Sequence, residues 1–282
     1  MENRFILVTG VGSIGSELVK QLAPKNNVYI IDNDETAFFD LYEELQNENI
    51  KISGKIGDIR DESVFDGIEK EFAYPGSLNR LPDTIFHCAA LKHVTPSEWY
   101  PMEYIKTNVI GTHNVLRFAK SYNCPHFVNI STDKVIQAES IMGITKKLAE
   151  KMVKNAGYIS VRFGNVMGSR GSVLPIWQKQ IDTNKPLTVT DEKMERFMMS
   201  IPEACELVIK AAEIGEGGQI LVMDMGKQIN ILELAKEIIA KSGRDIPIKT
   251  IGIRKGESIT EKLMTEEEER SATRKDNFWI LQ

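Results

Sequence analysis

A chain of 282 residues, 42% hydrophobic and 27% charged, can build one large domain or two modest lobes around a substantial core, and its ordinary composition excludes a disordered chain. The net charge of −5 gives no general nucleic-acid surface, and no apolar stretch approaches the ~20 residues of a membrane span. Met1–Arg4 passes at once into a strand pattern, so no signal peptide is expected. Cys88, Cys124 and Cys205 are far apart, odd in number and without a C-x-x-C pair. They read as buried free thiols of a reducing cytoplasm, with no disulfide and no metal site.

Short runs rich in β-branched and aromatic residues fall at Phe5–Thr9, Val28–Ile31, Thr84–Ala89, Phe127–Ile130 and Ile159–Phe163. Between them, Ser16–Leu22, Thr36–Glu48, Tyr104–Tyr122 and Ile141–Asn155 carry apolar residues at helical spacing. Apolar strands alternating with helices predict an α/β fold, a doubly wound parallel sheet covered on both faces with right-handed crossovers. After Gly164 a Gly/Ser segment leads to a strand at Leu187–Thr190, a helix at Pro202–Ile214, a strand at Gln219–Asp224, a helix at Ile231–Ser242 and a strand at Ile248–Ile253. These predict a first domain over residues 1–164 and a smaller mixed lobe over 165–282, packed over the strand C-termini. The boundary is approximate, and some elements are free to return to the first domain. Glu266–Glu269 beside Arg270 reads as a solvated face.

Gly10-Val11-Gly12-Ser13-Ile14-Gly15 follows the first strand directly and opens a helix. Glycines there let the backbone approach a pyrophosphate, and the helix N-terminus supplies oriented N–H groups, which predicts a Rossmann-type dinucleotide site. Asp32 ends the second strand. A carboxylate at that place can bond both adenosine ribose hydroxyls and repel a 2′-phosphate, which favours NAD over NADP. The competing reading of Asp32 is a helix N-cap, a role Asp34 could equally fill. Asp58 falls near the end of a third strand, as an adenine acceptor or as a turn aspartate.

The fifth strand runs into Ser131-Thr132-Asp133-Lys134, and Met142 to Lys146 follow inside a helix. Ligands in open α/β sheets sit outside the strand C-termini, so both segments can face a nicotinamide. Thr, Asp and Lys together offer a hydroxyl, an acid and a base. A capped turn with a surface ion pair is the other reading of the same residues.

With these stretches the chain resembles the extended short-chain dehydrogenase/reductases, and within them the UDP-N-acetylglucosamine 4,6-dehydratases of polysaccharide biosynthesis (CapD-like). VTGVGSIGSEL, GDIRD, HCAALKHV, KTNVIGTHNV, STDKV, MGITKKLAE, VRFGNVMGSRGSVLP, LTVT with ERFMMSIPEA, and IRKGESITEKL carry the resemblance in order over nearly the whole chain. It implies hydride removal from C4 of the sugar to NAD, loss of the C5 proton and the 6-hydroxyl as water, and hydride return to C6, with epimerisation decided by the face on which C5 regains its proton. It makes Lys134 the base at C5, Asp133 the acid for the leaving hydroxyl, and Thr132 the partner of the 4-oxygen. Lys146 would hold the nicotinamide ribose and lower nearby pKa values by its charge. Asn33, Ile59, Ala89, Ala90, Leu91 and Lys92 would line the cofactor with the glycine-loop residues. His93, Asn165, Val173, Leu174, Arg196, Arg254 and Glu257 would hold the UDP-sugar, Arg suiting phosphate through its bidentate fork. His93 also reads as a buried, hydrogen-bonded histidine.

The sequence departs from the pattern in places. Met142 stands where the superfamily has a catalytic tyrosine, as in the larger members of this dehydratase group, and a thioether transfers no proton. That leaves Asp133 or Lys134 as the base for C4 oxidation. The glycine loop is one residue short, the GE-K-L element reads Gly256-Glu257-Ser258-Ile259, and the Pro-rich stretch after KHV becomes Val94 to Trp99. His87, His113 and His126 read as structural, and Trp99, Trp177 and Trp279 as packing residues. The apolar sides of the two long helices predict a homo-oligomer. Neither a nucleic-acid nor a membrane partner is expected. A second-step enzyme of pseudaminic acid synthesis, converting the released UDP-sugar 5,6-ene, and a catalytically dead NAD-sensing protein are the alternatives.

Overall fold

The computed structural model describes residues 1–68, 81–253 and 256–282. Nine strands form one sheet: β1 (Phe5–Thr9), β2 (Asn27–Asp32), β3 (Ser53–Ile56), β4 (Thr84–His87), β5 (His126–Ile130), β6 (Ile159–Arg162), β7 (Ile220–Met223), β8 (Thr273–Lys275) and β9 (Phe278–Leu281). Their order is β8-β9-β7-β6-β5-β4-β1-β2-β3. From β3 to β7 every pairing is parallel, and β9 and β8 close the edge antiparallel. The chain turns outward from β1 in both directions, which opens a crevice at the carboxyl ends of β1 and β4.

The strand period of two explains the layers. Ile6 and Val8 point to one face, with helices α1 (Ser13–Leu22), α2 (Glu35–Asn47) and, later in the chain, Ile201–Ile214 packed on that core. Phe5 and Leu7 point to the other, under α3 (Thr112–Ser121) and α4 (Ile141–Asn155). β1 is buried along its whole length, as a central parallel strand must be.

The residues after 165 divide between two places. The strand read at 219–224 is β7 and lies in the large sheet beside β6, not in the smaller lobe. Parallel pairing buries it on both faces, which its uniform ILVM run allows. The β8–β9 hairpin was not read from sequence; its turn is Asp276-Asn277, with Asp276 at φ +52°. A second cluster holds Trp177, Ile181, Leu187, Val189, Met194 and Ile231. It is built by α5 (Val173–Asp182), the parallel ladder of Leu187–Val189 with Ile248–Thr250, and a helix at Ile231–Ser242.

Other readings need adjustment. Trp177 is fully buried, but Trp99 is 67% exposed and packs no core. The acidic run is a short helix, Glu266–Ser271, with a Thr265/Glu268 capping box. Glu268 turns inward to Arg162 while Glu266, Glu267 and Glu269 stay in solvent. The three cysteines are free, Cys124 and Cys205 buried and Cys88 half-buried.

Candidate active site

The glycine loop lies in the crevice. Gly10 has φ +83°, and a Cβ there would stand 2.5 Å from the Ala89 backbone. A Cβ on Gly15 would stand 1.8 Å from the Gly10 carbonyl oxygen, so the loop can meet α1 only with glycine at that position. Around Gly12, the N-cap of α1, a Cβ would meet nothing within 4 Å. That leaves open space at a helix N-terminus, which could hold an anionic group such as a pyrophosphate.

A cavity of about 470 Å³ extends from the loop. Its walls include Gly10, Gly12, Asp32, Asn33, Asp58, Ile59, Ala89, Ala90 and Leu91. Asp34, not Asp32, caps α2: its Oδ1 accepts the Ala37 amide at 3.1 Å. Asp32 instead accepts the amides of Val11 and Asp34, which points its carboxylate at the loop. Asp58 is a turn aspartate on the cavity wall, accepting the Arg60 amide at 2.9 Å and Arg60 Nε at 2.7 Å. Ser13 and Ile14 begin α1 outside those walls. The Ser13 hydroxyl accepts the Arg170 amide at 2.9 Å, and Ile14 packs into the core. Lys92 is exposed. His93 is exposed too, with its ring against Gly171. His87 is buried between Thr9 and Thr112 hydroxyls, and burial pushes its pKa down to about 3.

At the tip of β5 the chain enters a tight turn, Asp133–Val135, capped by Thr132. The Thr132 hydroxyl donates to Asp133 Oδ1 at 2.9 Å, and Lys134 Nζ donates to the same oxygen at 3.0 Å. Asp133 is buried; no N–H or hydroxyl of the described residues donates to its Oδ2, and the Glu261 carboxyl lies beside it. A buried carboxylate oxygen without a donor is costly, and an arriving hydroxyl would satisfy it. A residue that sequence reasoning passed over completes the cluster. Glu261 Oε1 accepts from Lys134 Nζ at 3.0 Å and faces Arg196 Nε at 3.2 Å, while its Oε2 accepts from Asn165 Nδ2 at 2.6 Å. The available signal was the second glutamate of GESITEKL, overshadowed by Glu257.

Electrostatics fix the resting charges. Burial opposes charge on Lys134, but Asp133 and Glu261 outweigh it and hold the ammonium above its ordinary pKa. Burial likewise opposes ionisation of Asp133, yet Lys134 and the hydrogen bonds keep its carboxyl below the usual range. Burial pushes Glu261 up, with Asp133 adding to the rise.

Lys146 lies one helix away on α4, donating to the Ile130 carbonyl at 2.6 Å, and burial pushes its pKa down to about 8. Met142 is buried on the same helix.

A cavity of about 250 Å³ holds Asp133, Lys134, Asn165, Arg196, Glu257 and Glu261. An adjoining one of about 230 Å³ is lined by Asn165, Val173, Leu174, Trp177, Arg196 and Glu257, among others. Asn165, Arg196 and Glu257 belong to both, so the acid–base cluster opens onto the second space. Arg196 also donates to the Ser258 and Ile259 carbonyls. Arg254 lies outside the described residues.

A family described as polysaccharide biosynthesis protein matches residues 6–282. The chain belongs to that family. Within it, the chain is 37% identical to a capsular polysaccharide biosynthesis protein, CapD, of Staphylococcus aureus, over 95% of this chain and 46% of the relative. The chain thus spans about half the length of that curated relative. It is 35% identical to a UDP-glucose 4-epimerase of Rickettsia bellii, over 100% of this chain and 83% of the relative. Among solved structures it is similar to Pen from Bacillus thuringiensis, with TM-score 0.90 and 34% identity over 99% of this chain and 88% of that one. It shares its fold with DesIV, a dTDP-glucose 4,6-dehydratase of Streptomyces venezuelae crystallised with NAD, at TM-score 0.79 and 21% identity over 94% and 90% of the chains. The family and the sheet order make this an extended short-chain dehydrogenase/reductase.

Proposed function

We propose that the chain is an NAD-dependent 4,6-dehydratase of a UDP-N-acetylhexosamine. One observation carries this reading: the Asp133 carboxyl and the Lys134 ammonium share a hydrogen bond at the β5 tip, in a cavity continuous with a second, partly apolar one. The glycine loop and Asp32 would bind NAD and Lys146 would hold its ribose end, and the bound cofactor would supply the hydride exchange between C4 and C6 of the sugar.

This chain's residues handle the protons. A ketone at C4 acidifies the C5 proton. Passing one proton from Lys134 Nζ to Asp133 Oδ1 along their 3.0 Å hydrogen bond turns the resting ammonium and carboxylate into an amine and an acid. The amine takes the C5 proton, and the acid protonates the departing 6-hydroxyl. Thr132 orients Asp133 and meets the 4-oxygen. Met142 supplies no proton, so Asp133, while still ionised, takes the O4 proton during C4 oxidation and releases it to solvent before it receives the Lys134 proton. Asn165, Arg196 and Glu257 hold the nucleotide sugar where the cavities join. A C₂ dimer forms through Ile110, on the π-helical turn Ile105–Gly111 that leads into α3, and Ile144 and Leu148 on α4, all of them exposed.

The relative named as a UDP-glucose 4-epimerase favours a second reading in which the 6-hydroxyl stays on the sugar. Incubation with NAD and UDP-N-acetylglucosamine, followed by NMR, separates the two. The expected product is a 4-keto-6-deoxy sugar with a new methyl signal. A C4 epimer retaining its hydroxymethyl group selects the epimerase, and turnover of the 5,6-ene alone selects the second-step enzyme.

A further inference from the structure

Glu261 lies more than a hundred positions from the β5 tip, and the described reaction assigns it no step. It is nevertheless built into the cluster. Its side chain is buried, and its carboxylate receives Lys134, Asn165 and Arg196. Its backbone is gripped on both sides by one side chain: Gln228 Oε1 accepts the Glu261 amide at 3.2 Å, and Gln228 Nε2 donates to the Glu261 carbonyl at 3.1 Å. A surface ion pair would not need such support, because exposed pairs contribute little.

Two carboxylates therefore flank one ammonium. Asp133 faces Lys134 from its own turn, Glu261 faces it from the C-terminal segment, and the two carboxyls also meet each other. Asn165 Oδ1 stands 3.4 Å away, and Arg196 lies behind Glu261. Glu139, Glu257 and Lys262 line the same cavity.

We propose that Glu261 is a positioning residue for Lys134, holding its Nζ against Asp133 and making the ammonium reluctant to lose its proton except to Asp133. Asp133 alone would leave Nζ free to swing toward the open side of the cavity. With Glu261 in place, Nζ is fixed between two carboxyl acceptors, with Asn165 Oδ1 a longer third, and its proton has a short path to the carboxyl that must become the acid. After that transfer Glu261 still accepts a hydrogen bond from the neutral amine, which orients the lone pair. The proposal rests on the dehydratase reading for the purpose of the device, but the charge relationship can be measured without turnover.

The test is competitive acetylation of the full chain with acetic anhydride over a range of pH, read at Lys134 by peptide mass analysis. Only the free amine reacts. In Glu261→Gln the Lys134 reaction rate at fixed pH should rise about tenfold or more, one pKa unit being a factor of ten in free amine. Glu261→Asp should restore most of the protection. Gln228→Ala loosens the same segment without removing charge and should leave the rate within about twofold of the wild type. A Glu261→Gln rate equal to wild type overturns the proposal, as does an equal rise in Gln228→Ala. In turnover, the alkaline limb of kcat for Glu261→Gln should move to lower pH with KM changed less than about threefold. A wild-type chain that forms no dehydrated product sinks the dehydratase reading, while the acetylation rates still decide the role of Glu261.

Discussion

Arg162 on β6 and Glu150 on α4 meet inside the protein as a bidentate pair, Nε to Oε1 at 3.1 Å and Nη2 to Oε2 at 2.8 Å. The same guanidinium reaches Glu268 at 2.9 Å and the Leu263 carbonyl at 3.0 Å. It thereby ties the segment that delivers Glu261 to the sheet beside the lysine-bearing helix. Arg162 is 2% exposed, so removing it leaves the buried Glu150 carboxylate without its hydrogen-bonded cation and frees the half-buried Glu268. Arg162→Met should destabilise the chain by about 3–5 kcal/mol, read from urea unfolding. A loss below about 1 kcal/mol would show that the network contributes little.

Two glycines of one loop should respond in opposite ways. Gly15→Ala forces a Cβ onto the Gly10 carbonyl and should lower the melting temperature by several degrees. Gly12→Ala has open space around it, so the fold should be unaffected. Its methyl group intrudes where the pyrophosphate is proposed to pass, so dinucleotide affinity should fall at least about tenfold. Calorimetry of both variants with and without NAD checks the pair. Unchanged NAD affinity in Gly12→Ala would move the pyrophosphate elsewhere.

Asp32 is the proposed selector against a 2′-phosphate. Asp32→Ala should weaken NAD binding about tenfold and narrow the preference for NAD over NADP, measured by fluorescence titration with each cofactor. Because Asp32 also receives the Val11 amide, part of the loss will come from a looser loop. Asp32→Asn keeps one acceptor oxygen, enough for the Val11 or the Asp34 amide but not for both, and should lose less NAD affinity than Asp32→Ala while still gaining NADP.

If Lys146 holds the cofactor ribose as proposed, it sets a pH limit on cofactor binding. Burial brings its pKa to about 8, below the ordinary 10.5, so the folded chain gives up this proton before the unfolded chain does. The buried charge is a stability cost below about pH 8 that is relieved as pH rises toward 10.5. Binding runs the other way. The ammonium that would hold the ribose is lost above about pH 8, so the dissociation constant for NAD should rise through that pH in wild type and stay flat in Lys146→Met. An equally flat wild-type curve contradicts the assigned role.

Local signals made much of this legible. The glycine loop, Asp32 and the STDK turn all sit at strand ends, where the period and the turn chemistry are strong. The long-range features were not legible. Nothing local at 220–223 says whether an ILVM run joins the large sheet or the smaller lobe; pairing with β6 decides it. Phe278–Leu281 is too short to stand out, and only its Asp276-Asn277 turn marks it. Glu261 reads as one more charge in an acidic tail, because its partners Lys134, Asn165 and Arg196 come from distant positions. Glu268 was misread for the same reason, its partner being Arg162.

The central claim is that one sugar gives up hydride at C4 and regains it at C6 while water leaves. Supplying UDP-N-acetylglucosamine deuterated at C4, with unlabelled NAD, tests it in a single spectrum. The account predicts deuterium in the C6 methyl group of a 4-keto product, with a solvent proton at C5. Deuterium returned to C4 of a sugar that keeps its 6-hydroxyl would contradict it.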